Sequence, residues 1–173
     1  MQDFVHLHVH TQYSLLDGQA SVARLVDKAM KNGMKGIAVT DHGNMFGIKE
    51  FTNYVNKKNS GPKGEIKDLK KRLVGIEAGS IECEDKEAEV AACKAKIVEA
   101  ENKLFKPIIG CEMYVARRTM DLKEGKQDQS GYHLIVLAKN ETGYHNLIKL
   151  VSHAWTRGYY MRPRTCLLYT SPS

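Results

Sequence analysis

The chain has 173 residues, of which 42% are hydrophobic and 27% charged, and its formal net charge is +6. This length suits one domain with an insertion, and the hydrophobic fraction suffices for a core. No apolar run approaches a membrane span, and the first residues lack the order of a signal peptide, so we expect no membrane segment. The positive charge is compatible with an anionic partner such as nucleic acid, and equally with an ordinary soluble surface.

The four cysteines are far apart in the chain and form no C-x-x-C pair: Cys83, Cys93, Cys111 and Cys166. This spacing is not that of a zinc ribbon, nor that of the disulfide framework of a small secreted protein. We therefore expect free thiols and a reducing compartment, the cytoplasm.

The first predicted element is a strand over residues 4–10, where apolar residues alternate with histidines. Because side chains along a strand alternate between its two faces, His6, His8 and His10 share one face and the apolar residues share the other. Neutral imidazole is a common ligand for zinc and similar metals. We expect this strand to supply half of a metal site, with His6 as a bystander because its two neighbours suffice for a chelate.

A helix is predicted between Ser21, a favoured N-cap residue type, and Gly33. Its apolar residues fall on one stripe: Val22, Leu25, Val26, Ala29 and Met30. A short apolar run over residues 36–40 predicts a buried strand, which ends in the polar loop 41–43. Another helix is predicted from residue 46 to residue 58.

Residues 57–104 interrupt this rhythm because they are highly charged, first basic and then acidic. Apolar residues recur there at three- or four-residue spacings, which predicts one or two long exposed helices, such as a hairpin. We favour a solvated insertion without chemistry. A contact surface for a partner protein or for nucleic acid is the alternative.

Two further strands are predicted over residues 107–115 and 132–138, and a last helix over 141–157. The order of elements predicts a mostly parallel α/β sheet. Four strands cannot close a barrel by themselves. Residues 165–173 match neither a helical nor a strand period, and we interpret them as a non-native tail.

Four more side chains of metal-ligand type accompany the predicted strands: Asp17, His42, Glu112 and His133. Sites in α/β folds lie at the carboxyl ends of strands, so these residues are expected to converge. Glu112 is the strongest candidate, because a carboxylate inside an apolar strand is costly unless it is paired or bound to a metal.

Each candidate also has an ordinary structural interpretation. Asp17 with Gly18 could form a turn, Asp41 could cap the following helix, and His133 could be a hydrogen-bonded core histidine. The two histidines of the last predicted helix are expected at the surface or in packing: His145 and His153.

These residues together carry a family resemblance. The set His8-Val9-His10, Asp17, Thr40-Asp41-His42, Glu112 and His133 resembles the PHP (polymerase and histidinol phosphatase) domain. Longer stretches resemble the branch of this family found in bacterial replicative DNA polymerases: residues 4–18, 40–47, 107–112, 137–144, and 158–160 before Arg164. The resemblance covers residues 3–56 and 105–164 and leaves out the charged insertion.

The resemblance implies a partial, distorted (β/α)7 barrel of the PHP type, similar to a TIM barrel, over residues 1–164, with the charged helical insertion at 57–104. It implies up to three divalent metal ions, zinc first and manganese or iron as alternatives. The matching ligand positions are His8, His10, Asp17, His42, Glu112 and His133. Glu112 would bridge two ions, and Glu112, His42 and Asp17 would carry the catalytic role.

For function, the resemblance implies a metal-dependent phosphoesterase domain of a DNA-directed DNA polymerase, a nucleotidyltransferase of DNA replication, with 3′–5′ exonuclease proofreading as its role. The partners would be DNA, single-stranded or at a primer 3′ end, and other replicase subunits. We expect the chain to stop before the family's last ligand positions and to have weak activity or none. Two alternatives stay open: a free-standing phosphatase for a small phosphate monoester, and a non-catalytic structural module of the polymerase.

Overall fold

The computed structural model describes residues 4–129 and 131–166. The chain divides into two compact units, one made of residues up to Thr52 and from Pro107 onward, the other of Asn53–Lys106. The helices are α1 (Val22–Lys31), α2 (Ile48–Lys58), α3 (Ser60–Glu77), α4 (Lys86–Asn102), α5 (Lys126–Gln129) and α6 (Glu141–Thr156). The strands are β1 (Gly36–Val39), β2 (Lys106–Ala116), β3 (Gly131–Leu137), β4 (Tyr159–Tyr160) and β5 (Arg162–Thr165).

The first unit is built on one sheet with the strand order β1-β2-β5-β4, and β3 also pairs with β2. β2 runs parallel to β5 and antiparallel to β3. A parallel bridge between His42 and Glu112 joins the loop after β1 to β2. The fold is therefore mixed α/β, and the sheet formed by the described strands is open.

The expectation of a mostly parallel sheet is wrong for β3. A parallel partner needs a long crossover, usually a helix that covers one face of the sheet. The connection from β2 to β3 contains only the four-residue helix α5, so the chain returns antiparallel, with Gly110 opposite Leu137 and Ala116 opposite Gly131. The short strands β4 and β5 were not predicted, because neither is long enough to show a period.

Residues 4–10 do not form the regular strand that their alternation predicts. The segment follows β1 through two backbone hydrogen bonds, from Ala38 N–H to His6 O (2.8 Å) and from Thr40 N–H to Val9 O (2.9 Å). The two acceptors, His6 and Val9, are three residues apart, whereas the two donors, Ala38 and Thr40, are two residues apart. The segment therefore contains one extra residue, which defines a bulge. A bend at Leu7 accommodates the extra residue and leaves that side chain exposed rather than in the core.

The core of the first unit lies between the sheet and its helices. α1 begins at the N-cap Ser21 as predicted and buries Val22, Val26 and Ala29, and every residue of β1 is buried. On β2, Cys111 and Met113 pack against α6 in one cluster with Leu147, Val151 and Ala154. The predicted strand and helix positions hold here to within one or two residues.

The tail prediction falls partly on described residues. Thr165 ends β5, and Cys166 is buried in a cluster with Ala116 and Met120. Residues 167–173 lie outside the described residues. The interpretation of 165–173 as a non-native tail stays a prediction. No helix in the described part of the chain has the length and apolarity needed to cross a bilayer.

The second unit is a pair of packed helices. α3 and α4 contact each other, and Ile76 on α3 and Cys93 and Ile97 on α4 are buried. Asp85 caps α4 by accepting a hydrogen bond from Ala88 N–H (3.0 Å). A salt bridge between Arg72 and Glu89 (3.0 Å) links the two helices at the surface.

One buried amide closes the base of this helical pair. The Asn59 side chain accepts a hydrogen bond from Phe105 N–H (2.9 Å) and donates one from Nδ2 to Phe105 O (2.8 Å). Both residues are buried, so these are the groups for which an absent partner is costly. These two hydrogen bonds thus join Asn59, the residue before α3, to Phe105 in the segment after α4.

Replacing Asn59 with alanine should destabilise the chain by roughly 2–4 kcal/mol, because both polar groups of Phe105 are left unsatisfied. Urea unfolding followed by circular dichroism measures this change. Asn56→Ala is the matched control, since its exposed amide accepts only a surface hydrogen bond from Lys63 Nζ. A loss for Asn59→Ala no larger than that for Asn56→Ala would contradict the interpretation.

Cys111 should resist alkylation by iodoacetamide at pH 8 in the folded chain. Burial above all, and then the nearby carboxylates of Asp41 and Glu112, raise the pKa of the Cys111 thiol to about 12, and only the thiolate reacts. Cys83 is partly accessible and provides the internal control. Peptide mass spectrometry gives both rates, and equal modification of the two cysteines would refute this expectation.

Candidate metal centre

The candidate residues are positioned by β2, β3 and the two segments beside β1. On β2, Glu112 points to the face opposite Cys111 and Met113, as its alternation predicts. In the register with β3, Ile135 stands opposite Glu112 and His133 opposite Tyr114, so Glu112 and His133 are diagonal neighbours on one face. His42 follows β1 and is bridged to Glu112 through the backbone.

Four imidazoles face the carboxylate of Glu112, which is only 2% exposed. Its Oε2 accepts a hydrogen bond from His10 Nε2 (2.7 Å) and lies 3.3 Å from His8 Nε2 and 3.4 Å from His42 Nδ1. Its other oxygen, Oε1, contacts His133 Nδ1. The two carboxylate oxygens therefore serve different partners.

Asp17 supplies a second carboxylate at the opposite side of the same rings. Its Oδ2 accepts a hydrogen bond from His42 Nε2 (2.9 Å) and lies 3.6 Å from His10 Nδ1. The hydrogen bond from His42 is the main reason that the pKa of Asp17 lies below its usual value. Asp17 and Gly18 do form a turn, with both amides donating to Ser14 O, so the turn and the contact with His42 coexist.

The structure thus brings all six predicted residues into one cluster. Three overlapping groups could each hold a cation: His8 with His10 and Glu112, His10 with Asp17 and His42, and His42 with Glu112 and His133. The remaining histidines lie outside the cluster. His6 contacts the ring of Phe4, and His145 and His153 are exposed on α6.

Asp41 anchors the cluster without belonging to it. Its buried carboxylate accepts hydrogen bonds from Thr11 N–H (2.6 Å), from the Thr11 hydroxyl (2.8 Å) and from the Ser14 hydroxyl (2.7 Å). These bonds tie the segment that carries His8 and His10 to the end of β1. They also show that Asp41 does not cap α2, which begins at Ile48.

Thr40 fixes the orientation of His8. Its hydroxyl donates to Val9 O (3.3 Å) and accepts from Val9 N–H (3.0 Å), so it acts as an acceptor for His8 Nδ1–H as well (2.8 Å). The lone pair of His8 is then on Nε2, which faces Glu112. These roles of Thr40, Thr11 and Ser14 were not predicted from the sequence. The available sequence signal was that these three residues are polar although they lie at positions that the fold buries.

The cluster fits a divalent cation. His42 Nε2–H donates to Asp17, which leaves a lone pair on Nδ1, and this buried nitrogen has no hydrogen-bond partner among the described residues. It faces Glu112 Oε2 at 3.4 Å, lone pair against lone pair, as His8 Nε2 does at 3.3 Å. Two ligands of a tetrahedral zinc ion, each about 2.0–2.1 Å from the metal, are roughly 3.3 Å apart. A divalent cation placed among these atoms would satisfy both nitrogens and the carboxylate at once.

A cleft of about 590 Å³ opens beside the cluster and is lined by its Asp17, His42 and His133. Arg162 stands in its wall, where Nη1 donates to Tyr114 Oη (2.6 Å) and the guanidinium lies 4.9 Å from the centre of that ring. Burial raises the pKa of Tyr114, so the phenol stays protonated and neutral near pH 7. The guanidinium keeps its full positive charge beside the cluster.

The mouth of the cleft is apolar and aromatic. Leu15 and Leu16 are 89% and 94% exposed, and Phe46, Met161 and Trp155 also present large apolar surfaces to solvent. The ring centres of Phe46 and Trp155 are 6.5 Å apart. Contiguous exposed apolar surface of this kind marks an interaction site more often than an ordinary protein surface.

Comparison with known proteins finds relatives with similar sequences. The chain is 40% identical to DNA polymerase III subunit alpha of Borreliella burgdorferi over 164 residues, and 40% identical to that of Treponema pallidum over 162 residues. It is 32% identical to that of Aquifex aeolicus over 169 residues. Each match covers 93–94% of this chain but only 10–11% of the relative, so the chain spans about a tenth of the proteins that it matches.

The family comparison agrees with these relatives. The model of the PHP domain matches residues 6–171. The resemblance to this domain, and to its branch in bacterial replicative polymerases, is thereby confirmed. Since the match covers nearly the whole chain, the protein belongs to the PHP domain family.

Proposed function

We propose that this chain is the PHP region of a bacterial DNA polymerase III alpha subunit and that its cluster binds divalent metal ions for phosphoester hydrolysis. The observation that carries the proposal is the buried carboxylate of Glu112 with four imidazoles around it. The ligands would be His8, His10, Asp17, His42, Glu112 and His133. Up to three ions would be held, with zinc favoured and manganese or iron as alternatives.

We also propose that the open sheet belongs to a larger barrel fold. The sheet would be part of the distorted (β/α)7 barrel of the PHP type, interrupted by the helical insertion at 57–104. The parallel pair β2–β5 and the parallel bridge that joins the loop after β1 to β2 support this arrangement because they resemble part of a barrel wall. A cytoplasmic location follows from the proposed role in DNA replication.

Each residue of the cluster has a definite task in this proposal. Glu112 would bridge two ions, since its Oε1 and Oε2 already face different imidazoles. His42 and Asp17 would hold a further ion near the leaving group. When bound, such ions polarise a phosphoester and lower the pKa of a coordinated water molecule, which is the chemistry of a metal-dependent phosphoesterase. Arg162 would bind a phosphate oxygen, with Tyr114 holding the guanidinium in place.

The mouth of the cleft favours nucleic acid over a small phosphate monoester. A monoester such as a sugar phosphate has little apolar surface with which to cover Leu15, Leu16 and Phe46, whereas a nucleobase stacks on aromatic side chains. We therefore propose single-stranded DNA or a primer 3′ end as substrate and 3′–5′ exonuclease proofreading as the activity of the whole polymerase subunit. Other replicase subunits would be its partners.

Glu112→Gln should weaken zinc binding by at least tenfold, because it removes the charge on which the imidazoles converge. Equilibrium dialysis with zinc, followed by elemental analysis, measures the bound metal. Glu141→Gln, at an exposed position of α6, is the matched control and should bind as the wild type does. Equal zinc binding by both variants would rule out the proposed centre.

Phe46→Ala should weaken binding of a fluorescent single-stranded oligonucleotide by roughly tenfold, the loss expected for one stacked base of about 1–3 kcal/mol. Fluorescence anisotropy with zinc present gives the affinity, and inorganic phosphate should bind equally to both proteins. Phe4→Ala removes an exposed ring that does not line the cleft and controls for general effects. An unchanged oligonucleotide affinity would favour the small-monoester phosphatase instead.

A further inference from the structure

The second unit has a strongly uneven distribution of charge. Residues 57–72 carry seven basic and two acidic side chains, whereas residues 77–89 carry six acidic and one basic. The first stretch covers most of α3, and the second covers the turn and the start of α4. The helical pair is therefore basic along α3 and acidic at its tip.

Four lysines on α3 form one exposed face, which we call the basic row: Lys63, Lys67, Lys70 and Lys71. Their spacing of three, four and eight residues places them on one side of the helix. The opposite side carries Ile66, Leu69 and Leu73, which are partly buried, and the fully buried Ile76. No acidic residue of α3 falls between the lysines on that face.

The basic row is only weakly neutralised. Lys63 Nζ donates to the uncharged amide of Asn56, and Lys70 lies 3.7 Å from Glu101. Within the described residues, neither Lys67 nor Lys71 takes part in an ion pair. The like charges at Lys63, Lys67 and Lys71 are four residues apart, a spacing that destabilises a helix. A partner with regularly spaced negative charge would relieve this repulsion.

We propose that the basic row binds the phosphate backbone of duplex DNA without reading its sequence. Lys63, Lys67 and Lys71 follow one another at about 6 Å along the axis of α3, which suits the regular row of phosphates on a duplex. Single-stranded binding relies on aromatic side chains that stack on bases, and the basic row contains none. Lysine contacts to phosphate hold a protein on DNA without sequence specificity. The proposed polymerase supplies such a duplex.

This inference rests on the proposed function only in its choice of DNA as the partner. It concerns a surface of the second unit and needs neither the metal cluster nor the cleft. Zinc binding, measured in the same preparations, therefore separates its failure from failure of the metal centre.

The test compares two variants of the full chain with the same change in charge. Lys63→Gln, Lys67→Gln and Lys71→Gln together remove three charges from the basic row. The control removes three exposed charges from three other helices: Lys31→Gln, Lys96→Gln and Lys149→Gln. Fluorescence anisotropy with a blunt 20-base-pair DNA duplex, at several salt concentrations, gives the dissociation constant and its salt dependence.

Loss of the three lysines should reduce the slope of log K against log salt by about three, roughly one for each phosphate that the protein no longer neutralises. The control should change it by less than one. Equal effects of the two variants, an unchanged slope, or no binding by the wild type at low salt would each overturn the proposal. It would also be overturned if the triple variant altered only self-association in sedimentation, since the acidic tip of a second copy would then be the partner.

Discussion

The buried charge of Glu112 is the constraint on which this structure depends. A carboxylate that is almost inaccessible to water must find compensating groups, and an unpaired one would cost several kcal/mol. The groups that face it come from positions as far apart in the chain as His8 and His133. His10 donates a hydrogen bond to it, and a bound cation would compensate the charge where His8 and His42 present lone pairs. The course of the chain around β2 is what brings them there. Strand β2 thus contributes one face to the hydrophobic core of the first unit, and its other face presents Glu112 to the imidazoles.

The segment that carries His8 and His10 shows how a site can be rigid without regular secondary structure. Only two backbone hydrogen bonds join it to β1, because a bulge interrupts the ladder. Side-chain hydrogen bonds hold the segment where backbone hydrogen bonds are missing. The carboxylate of Asp41 accepts three hydrogen bonds from Thr11 and Ser14, and Thr40 holds both the backbone of Val9 and the ring of His8. Buried polar contacts thus fix the positions of His8 and His10, as candidate metal ligands require.

Much of this arrangement was predictable from the sequence, for reasons that depend on periodicity. The stripe of α1 and the apolar runs of β1 and β2 have clear periods, and they are found where they were expected. The alternation in β2 also predicted that Glu112 would turn away from Cys111 and Met113. Convergence of the six metal-type residues followed from the rule that strand ends gather side chains in α/β folds.

Other features depend on interactions that no local pattern records. The bulge in residues 4–10 arises from register against β1, and the antiparallel return of β3 arises from the length of its connection. The support given by Thr40, Asp41 and Ser14 is a property of two segments that meet in space, residues 8–14 and residues 40–41. β4 and β5 are too short for any period to be recognised. The ligand roles of the six residues stay proposals that metal analysis can decide.

The amide of Asn59 has a consequence for how this protein can change over evolutionary time. Because it pins Phe105 directly to the residue before α3, the chain segments that enter and leave the helical pair are held side by side. Insertions or deletions of whole helical turns in α3 and α4 then alter the length of the helical pair while leaving the contact between Asn59 and Phe105 in place. An engineer could therefore shorten the helical pair, or exchange it for another module, between Asn59 and Phe105.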